Sequence, residues 1–167
     1  QEPAVAEALY AVCARTDGNY TPVGAFGMAR VRAATGNFTG AVEALDLVPQ
    51  TSRAFALARQ QRAHLLARSA TDMATLAEAV RSLKGVPIDP ADKAALKVQV
   101  FEAGLARVTA PHGSEPRIQV DGFEGNLRGM QLRLENAYRE LAAVTTDPQA
   151  RVDLIDKANA VRPWTWR

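Results

Sequence analysis

An all-α fold of antiparallel helix pairs stacked in series is what this sequence predicts. Apolar residues recur at helical spacing in eight separate stretches, and glycine, proline, asparagine and aspartate punctuate the gaps between them. Alanine makes up about a fifth of the 167 residues and aromatics only 6%. That mixture favours helices packed closely through small side chains over a sheet built on branched and aromatic ones.

The first helix is predicted over 3–15, with Val5, Leu9, Val12 and Cys13 on one face. Asp17-Gly18-Asn19 turns the chain into a second helix, from about Thr21 to Thr35, with Ala33 on its exposed side and Gly36 as its left-handed stop. A short third helix, 38–48, ends at Pro49. Thr51 or Ser52 caps a fourth that reaches Arg68, and Thr71 and Asp72 start a fifth that stops before Gly85-Val86-Pro87. Asp89-Pro90-Ala91-Asp92 opens the sixth: Asp89 caps, Pro90 takes a position where no N–H is needed, and Asp92 faces the positive end of the dipole. Its stripe is Ala94, Val98, Phe101, Leu105 and Val108. Residues 109–122, with Pro111, Gly113, Pro116 and Gly122, read as one long loop. The seventh helix, about 123–144, carries Leu127, Met130, Leu134, Ala137, Leu141 and Val144. Asp147-Pro148 opens the last, which carries Val152, Ile155 and Ala158 and ends at Pro163. No stretch reads as a credible strand.

A repeat runs through the first half. Ala6, Tyr10 and Cys13 share their spacing with Ala41, Leu45 and Val48, and with Leu76, Val80 and Leu83, each set 35 residues after the last. The middle unit is the best written: Ala29, then Gly36, Phe38, Ala41 and Leu45. Two helices cross closely only where side chains are small, so Ala29 is set against Ala41. Gly36 makes the hairpin and Phe38 fills the gap beside it. This pattern resembles the tetratricopeptide repeat, whose period is about 34 residues. The first unit lacks its first helix, the third has Leu76 where a small residue is expected, and the register breaks at Pro111. The expected organisation is one domain over 1–167, with repeats over 1–84 and longer, non-standard helices over 90–161 closing the array. Because the chain opens Gln1-Glu2-Pro3, inside what reads as a helix, it is expected to be a fragment of a longer polypeptide.

Composition and motifs exclude much. Charged residues are 23% of the chain, the formal charge is +2, and acids and bases are interspersed, so no basic arm for nucleic acid exists. No apolar run is long enough to span a membrane. Cys13, the single cysteine, reads as a core thiol of a reducing compartment. His64 and His112 have no partners at ligand spacing, and Gly122-x-x-Gly125 lacks the spacing of a phosphate cradle. No metal, cofactor or catalytic residue is expected. Arg53, Arg59, Arg62 and Arg68 give the fourth helix a basic side, either a solvated face or a patch for an acidic partner. Trp164 and Trp166 either fold back to plug the last helix pair or anchor a contact with another chain.

A narrower resemblance lies in Tyr138-Arg139-x-Leu141-Ala142 and Leu154-Ile155-Asp156-Lys157-Ala158-Asn159-x-Val161-Arg162-Pro163. With Cys13-Ala14-Arg15-Thr16-Asp17 and Ala25-Phe26-Gly27-Met28-Ala29-Arg30, these segments resemble the C-terminal tetratricopeptide domain of the actinobacterial protein kinase G family. The resemblance implies a cytoplasmic, non-catalytic domain of a Ser/Thr kinase that serves in dimerisation and substrate recruitment. Its implied partners are its own kinase domain, a second copy and a small forkhead-associated-domain substrate. None of the family's catalytic residues has a counterpart here; Ala25-Phe26-Gly27 lacks the metal-binding aspartate. A free-standing repeat adaptor, unconnected to a kinase, is the competing reading.

Overall fold

The computed structural model describes residues 2–110, 119–120 and 122–164. Among them are eight helices: α1 (Pro3–Thr16), α2 (Thr21–Ala34), α3 (Phe38–Asp46), α4 (Phe55–Ser69), α5 (Met73–Ser82), α6 (Pro90–Thr109), α7 (Leu127–Val144) and α8 (Pro148–Val161). The class is all-α, with helices packed on their neighbours in chain order. One small departure from the expected pattern is an antiparallel hairpin, β1 (Gln119–Val120) with β2 (Phe123–Glu124), where a loop and then a helix start were expected. The rest of the expected loop, with Pro111 and His112, lies outside the described residues. No helix among the described residues is long and apolar enough to cross a membrane.

Local chemistry sets the boundaries. Gly36 adopts φ 80° after α2, so the Gly36 N–H can donate to Ala33 O and the Asn37 N–H to Arg32 O. Asn37 then caps α3 by accepting from the Gly40 N–H at 2.9 Å. Two residues thereby end one helix and begin the next. Asp72, Asp89, Asn126 and Asp147 cap α5, α6, α7 and α8 in the same way. The fourth helix begins at Phe55, later than expected, because the Ser52 hydroxyl accepts from Ala54 N–H in a local turn instead of capping.

Small residues govern how closely the pairs approach. Ala29 and Ala41 are 3% and 0% exposed in one cluster with Met28, Leu45 and Ala58. A Cβ on Gly24 would lie 2.5 Å from Ala14 N, and one on Gly27 would enter the Tyr10 ring, so α1 and α2 pack backbone to backbone at Gly24 and backbone to ring at Gly27. A larger cluster, holding Leu76, Phe101, Met130 and Leu134, joins α4–α8 and takes in Val120 of the hairpin. Each large side chain fully buried there contributes about 1.5–3 kcal/mol.

Four face assignments change; on α7, Leu127 and Val144, expected in the packed stripe, are 47% and 38% exposed. Val5, Leu9 and Val12, expected to pack, are exposed; α1 meets α2 instead through Tyr10, Ala11 and Ala14, with Cys13 half-buried. Ala33, expected exposed, is half-buried against the α2–α3 core. On α8 the packed residues are Leu154, Ala158 and Val161, while Val152 faces outward. In each case the neighbouring helix approaches from a side that one helix's own periodicity does not specify.

Candidate interaction surface

A groove of about 570 Å³ is lined by residues of α2 and α4, together with Tyr10 of α1. Positions along α4 put Leu57, Gln61, His64, Leu65 and Arg68 on the groove side, at offsets of three and four. Phe26, Arg30 and Ala33 do the same on α2. The lining is apolar in the middle, with Ala29, Ala33 and Leu65, and carries Arg30, Arg68 and His64, all three exposed. No carboxylate is among the lining residues. Arg30 donates to the Tyr10 hydroxyl at 3.0 Å, which holds its guanidinium over the groove margin. His64 Nδ1 lies 2.7 Å from the Gln99 side-chain oxygen on α6.

The arginines of the fourth helix do not form one patch. Arg53 is exposed in the turn before α4. Arg59 donates to Asp46 at 2.9 Å and sits over the Phe55 ring. Arg62 is 8% exposed and lies inside. Its guanidinium donates to Asp46 on α3 at 2.8 Å, to the Ser82 hydroxyl at 2.7 Å and to Glu78 on α5. Burial pulls its proton affinity down, but the hydrogen bonds and charges of Glu78 and Asp46 outweigh that, and its pKa is raised. Arg62 therefore ties three helices together and, at 8% exposed and already paired, has little free surface to offer a partner. Of the four arginines only Arg68 reaches the groove.

Trp164 follows α8 with 90% of its surface exposed, so it does not plug the last helix pair. Trp166 lies outside the described residues. Of the repeat residues, Ala29, Ala41 and Leu45 lie in the core, where Ala29 also lines the groove; Phe38 is half-buried and Gly36 is in the turn. Arg30 is a surface residue that the charge pattern of the fourth helix does not reveal. The signal was available: Phe26, Arg30 and Ala33 follow helical spacing, as do Leu57, Gln61, His64 and Arg68.

Comparison with known proteins extends the resemblance beyond those segments. The family model described as protein kinase G tetratricopeptide repeat matches residues 1–165. The chain is 35% identical, over 143 residues and 83% of its length, to the serine/threonine-protein kinase PknG of Mycobacterium leprae. It is 30% identical, over 152 residues and 89% of its length, to the protein of the same name from Mycolicibacterium smegmatis. The aligned regions are 18% and 20% of those two proteins, so the chain spans about a fifth of the length of the curated relatives it matches.

Proposed function

From the premise that this chain belongs to the protein kinase G tetratricopeptide repeat family, we propose that it recruits a protein substrate to a Ser/Thr kinase of which it is the non-catalytic part. The observation that carries this reading is the α2–α4 groove, apolar along its floor and rimmed by Arg30, Arg68 and His64 without a carboxylate. Such a lining suits an extended acidic segment with an apolar side chain, here a segment of a forkhead-associated-domain substrate. The groove walls are helices already ordered before the partner arrives, so little conformational entropy is lost on binding. A substrate held there meets a tethered active site at raised effective concentration.

The whole chain acts in this reading as one domain, with repeats over 1–84 carrying the groove and the helices over 90–161 closing the array. Pairing with a second copy belongs to the same proposal and rests on the family resemblance. Arg53 and Trp164, both exposed, are further candidates for the contact surface, with Trp166 beside the latter in sequence. The reading implies a cytoplasmic domain, which a single half-buried thiol suits.

The test is made in the full-length kinase with Arg30→Glu and Arg68→Glu combined. Reversing two exposed charges should raise KM for the protein substrate roughly three- to tenfold and leave kcat nearly unchanged. Transfer to a short generic peptide should not change. Equal losses on both substrates would mean that the domain props up the kinase fold instead, and recruitment through this groove would be abandoned.

A further inference from the structure

A second cavity, of about 410 Å³, shares no lining residue with the α2–α4 groove. Its walls are the end of α5 with the turn after it, the start of α6, and the hairpin, whose β1 packs on α5. Ala77, Val80 and Leu83, all buried, supply the apolar part of the lining. Arg81, Lys84, Lys93 and Lys97 supply four cations, and no described residue of the lining is a carboxylate. Helix chemistry accounts for only one of them. Arg81 stands in the last turn of α5, where a positive charge complements the dipole. Lys93 has the opposite placement, since it is the fourth residue of α6, close to the positive end, and half-buried. Lys97 follows one turn later on the same face and donates to Glu140 of α7 at 2.7 Å. Among the described residues, no carboxylate pairs with Arg81, Lys84 or Lys93. By contrast Arg32, Arg59 and Arg62, each at least partly shielded, all hold one. Three cations thus share one concavity with no described acid to offset their repulsion.

We propose that this cavity binds a small phosphate-bearing anion, a pyrophosphate or a phosphate monoester. A phosphoryl group presents three acceptor oxygens in a tetrahedral spread, which suits donors arriving separately from α5, from the turn and from α6. A carboxylate offers two oxygens in one plane, matched better by a single guanidinium fork. Lys84 and Lys93 supply point charges, Arg81 a fork, and Gln119 a neutral amide donor. The Lys97–Glu140 pair stays intact and adds no free charge. The volume suits a small molecule. This site does not depend on the recruitment reading.

Hydrogen exchange of the full-length protein, with and without millimolar pyrophosphate, tests it through peptides spanning residues 77–97. Amides at the end of α5 and the start of α6 should exchange about threefold or more slowly with pyrophosphate present, while those of α1 stay unchanged. Lys93→Gln and, separately, Lys84→Gln at an exposed position should each raise the pyrophosphate concentration required by about threefold or more. Lys157→Gln, exposed on α8 and outside the cavity, should alter it by less than about twofold. No protection of 77–97, or protection that both cavity variants leave intact, overturns the proposal. An equal loss in Lys157→Gln does the same, because the attraction is then to overall charge. Equal protection by succinate or polyglutamate at matched ionic strength also overturns it, because the cavity then takes carboxylates.

Discussion

Replacing Arg62 by alanine should unfold this domain more readily than any other single arginine change on α4. The side chain is 8% exposed and makes three polar contacts, to Asp46, Glu78 and Ser82. A hydrogen bond to a charged group is worth about 1.5–3 kcal/mol when both partners are shielded. Here the side chains of Asp46 and Glu78 are 40% and 44% exposed, so water replaces much of what they lose. About 0.5–1 kcal/mol for each is the reasonable loss. Ser82 is 1% exposed and keeps its own donation to Glu78 O at 3.0 Å, but it loses its donor, at about 1 kcal/mol. The lost packing of the aliphatic stem adds about 1 kcal/mol. The total is about 3–4 kcal/mol, which for a chain of this length lowers Tm by roughly 6–16 °C. Arg59→Ala removes a bond to the same Asp46 from a more exposed position and should cost about 0.5–1 kcal/mol. Thermal melts followed by helix circular dichroism measure both. If the Tm values of the two variants lie within about 2 °C of each other, Arg62 is not the tie between α3, α4 and α5, and the reasoning fails.

Three further outcomes are expected. Ala41→Leu, at a fully buried position, should force α2 and α3 apart and cost about 1–3 kcal/mol, whereas Ala34→Leu at the exposed end of α2 should lie within about 0.5 kcal/mol of the parent; denaturant unfolding reads both. Hydrogen bonds from the Thr75 N–H and hydroxyl hold the Asp72 carboxyl below its ordinary range, so its stabilisation is present above the unfolded carboxylate pKa and is lost as pH falls through the depressed folded value. Asp72→Ala should therefore cost about 1 kcal/mol at neutral pH and flatten part of the acid limb of a Tm-against-pH curve. Burial and the nearby Glu102 push the Tyr138 phenol up to about 12, so its contribution is full below the unfolded tyrosine pKa and is lost as pH rises from there through the folded value. Ultraviolet titration should show a phenol ionising near pH 12 that is missing from Tyr138→Phe.

Helix ends were the most legible part of this fold, because each rests on chemistry within four residues. Asp89 and Asp147 before prolines, and Gly36 before Asn37, needed no tertiary knowledge. The 35-residue spacing likewise placed Ala41 and Leu45, both buried. Facing was harder. α1 is apolar on both sides, and only the direction from which α2 approaches decides between Tyr10 and Leu9. α6 carries a second buried set, Leu96 and Val100, because α4 and α5 pack on one flank and α7 on another. Arg62 looked like a surface cation because its acids sit 16 residues away in either direction, on two other helices. The groove escaped notice for a similar reason: half of it belongs to α2 and half to α4.

The division of the interior into two main clusters has a mechanical consequence. One cluster serves mainly α1–α3 and the other mainly α4–α8, with Val42 of α3 packed against the second, and α4 lends Ala58 to the first and Leu66 and Ala67 to the second. Across that boundary Asp46 is held by Arg59 and Arg62 of α4, so charge bridges part of the joint between the two blocks. Such a chain has a natural fracture line, and the block whose buried cluster is mostly alanine is expected to open first. When it does, Arg62 keeps Glu78 and Ser82 on the block that remains. Part of the newly bared edge is then a hydrated, already paired cation, a poor template for sticking to other chains.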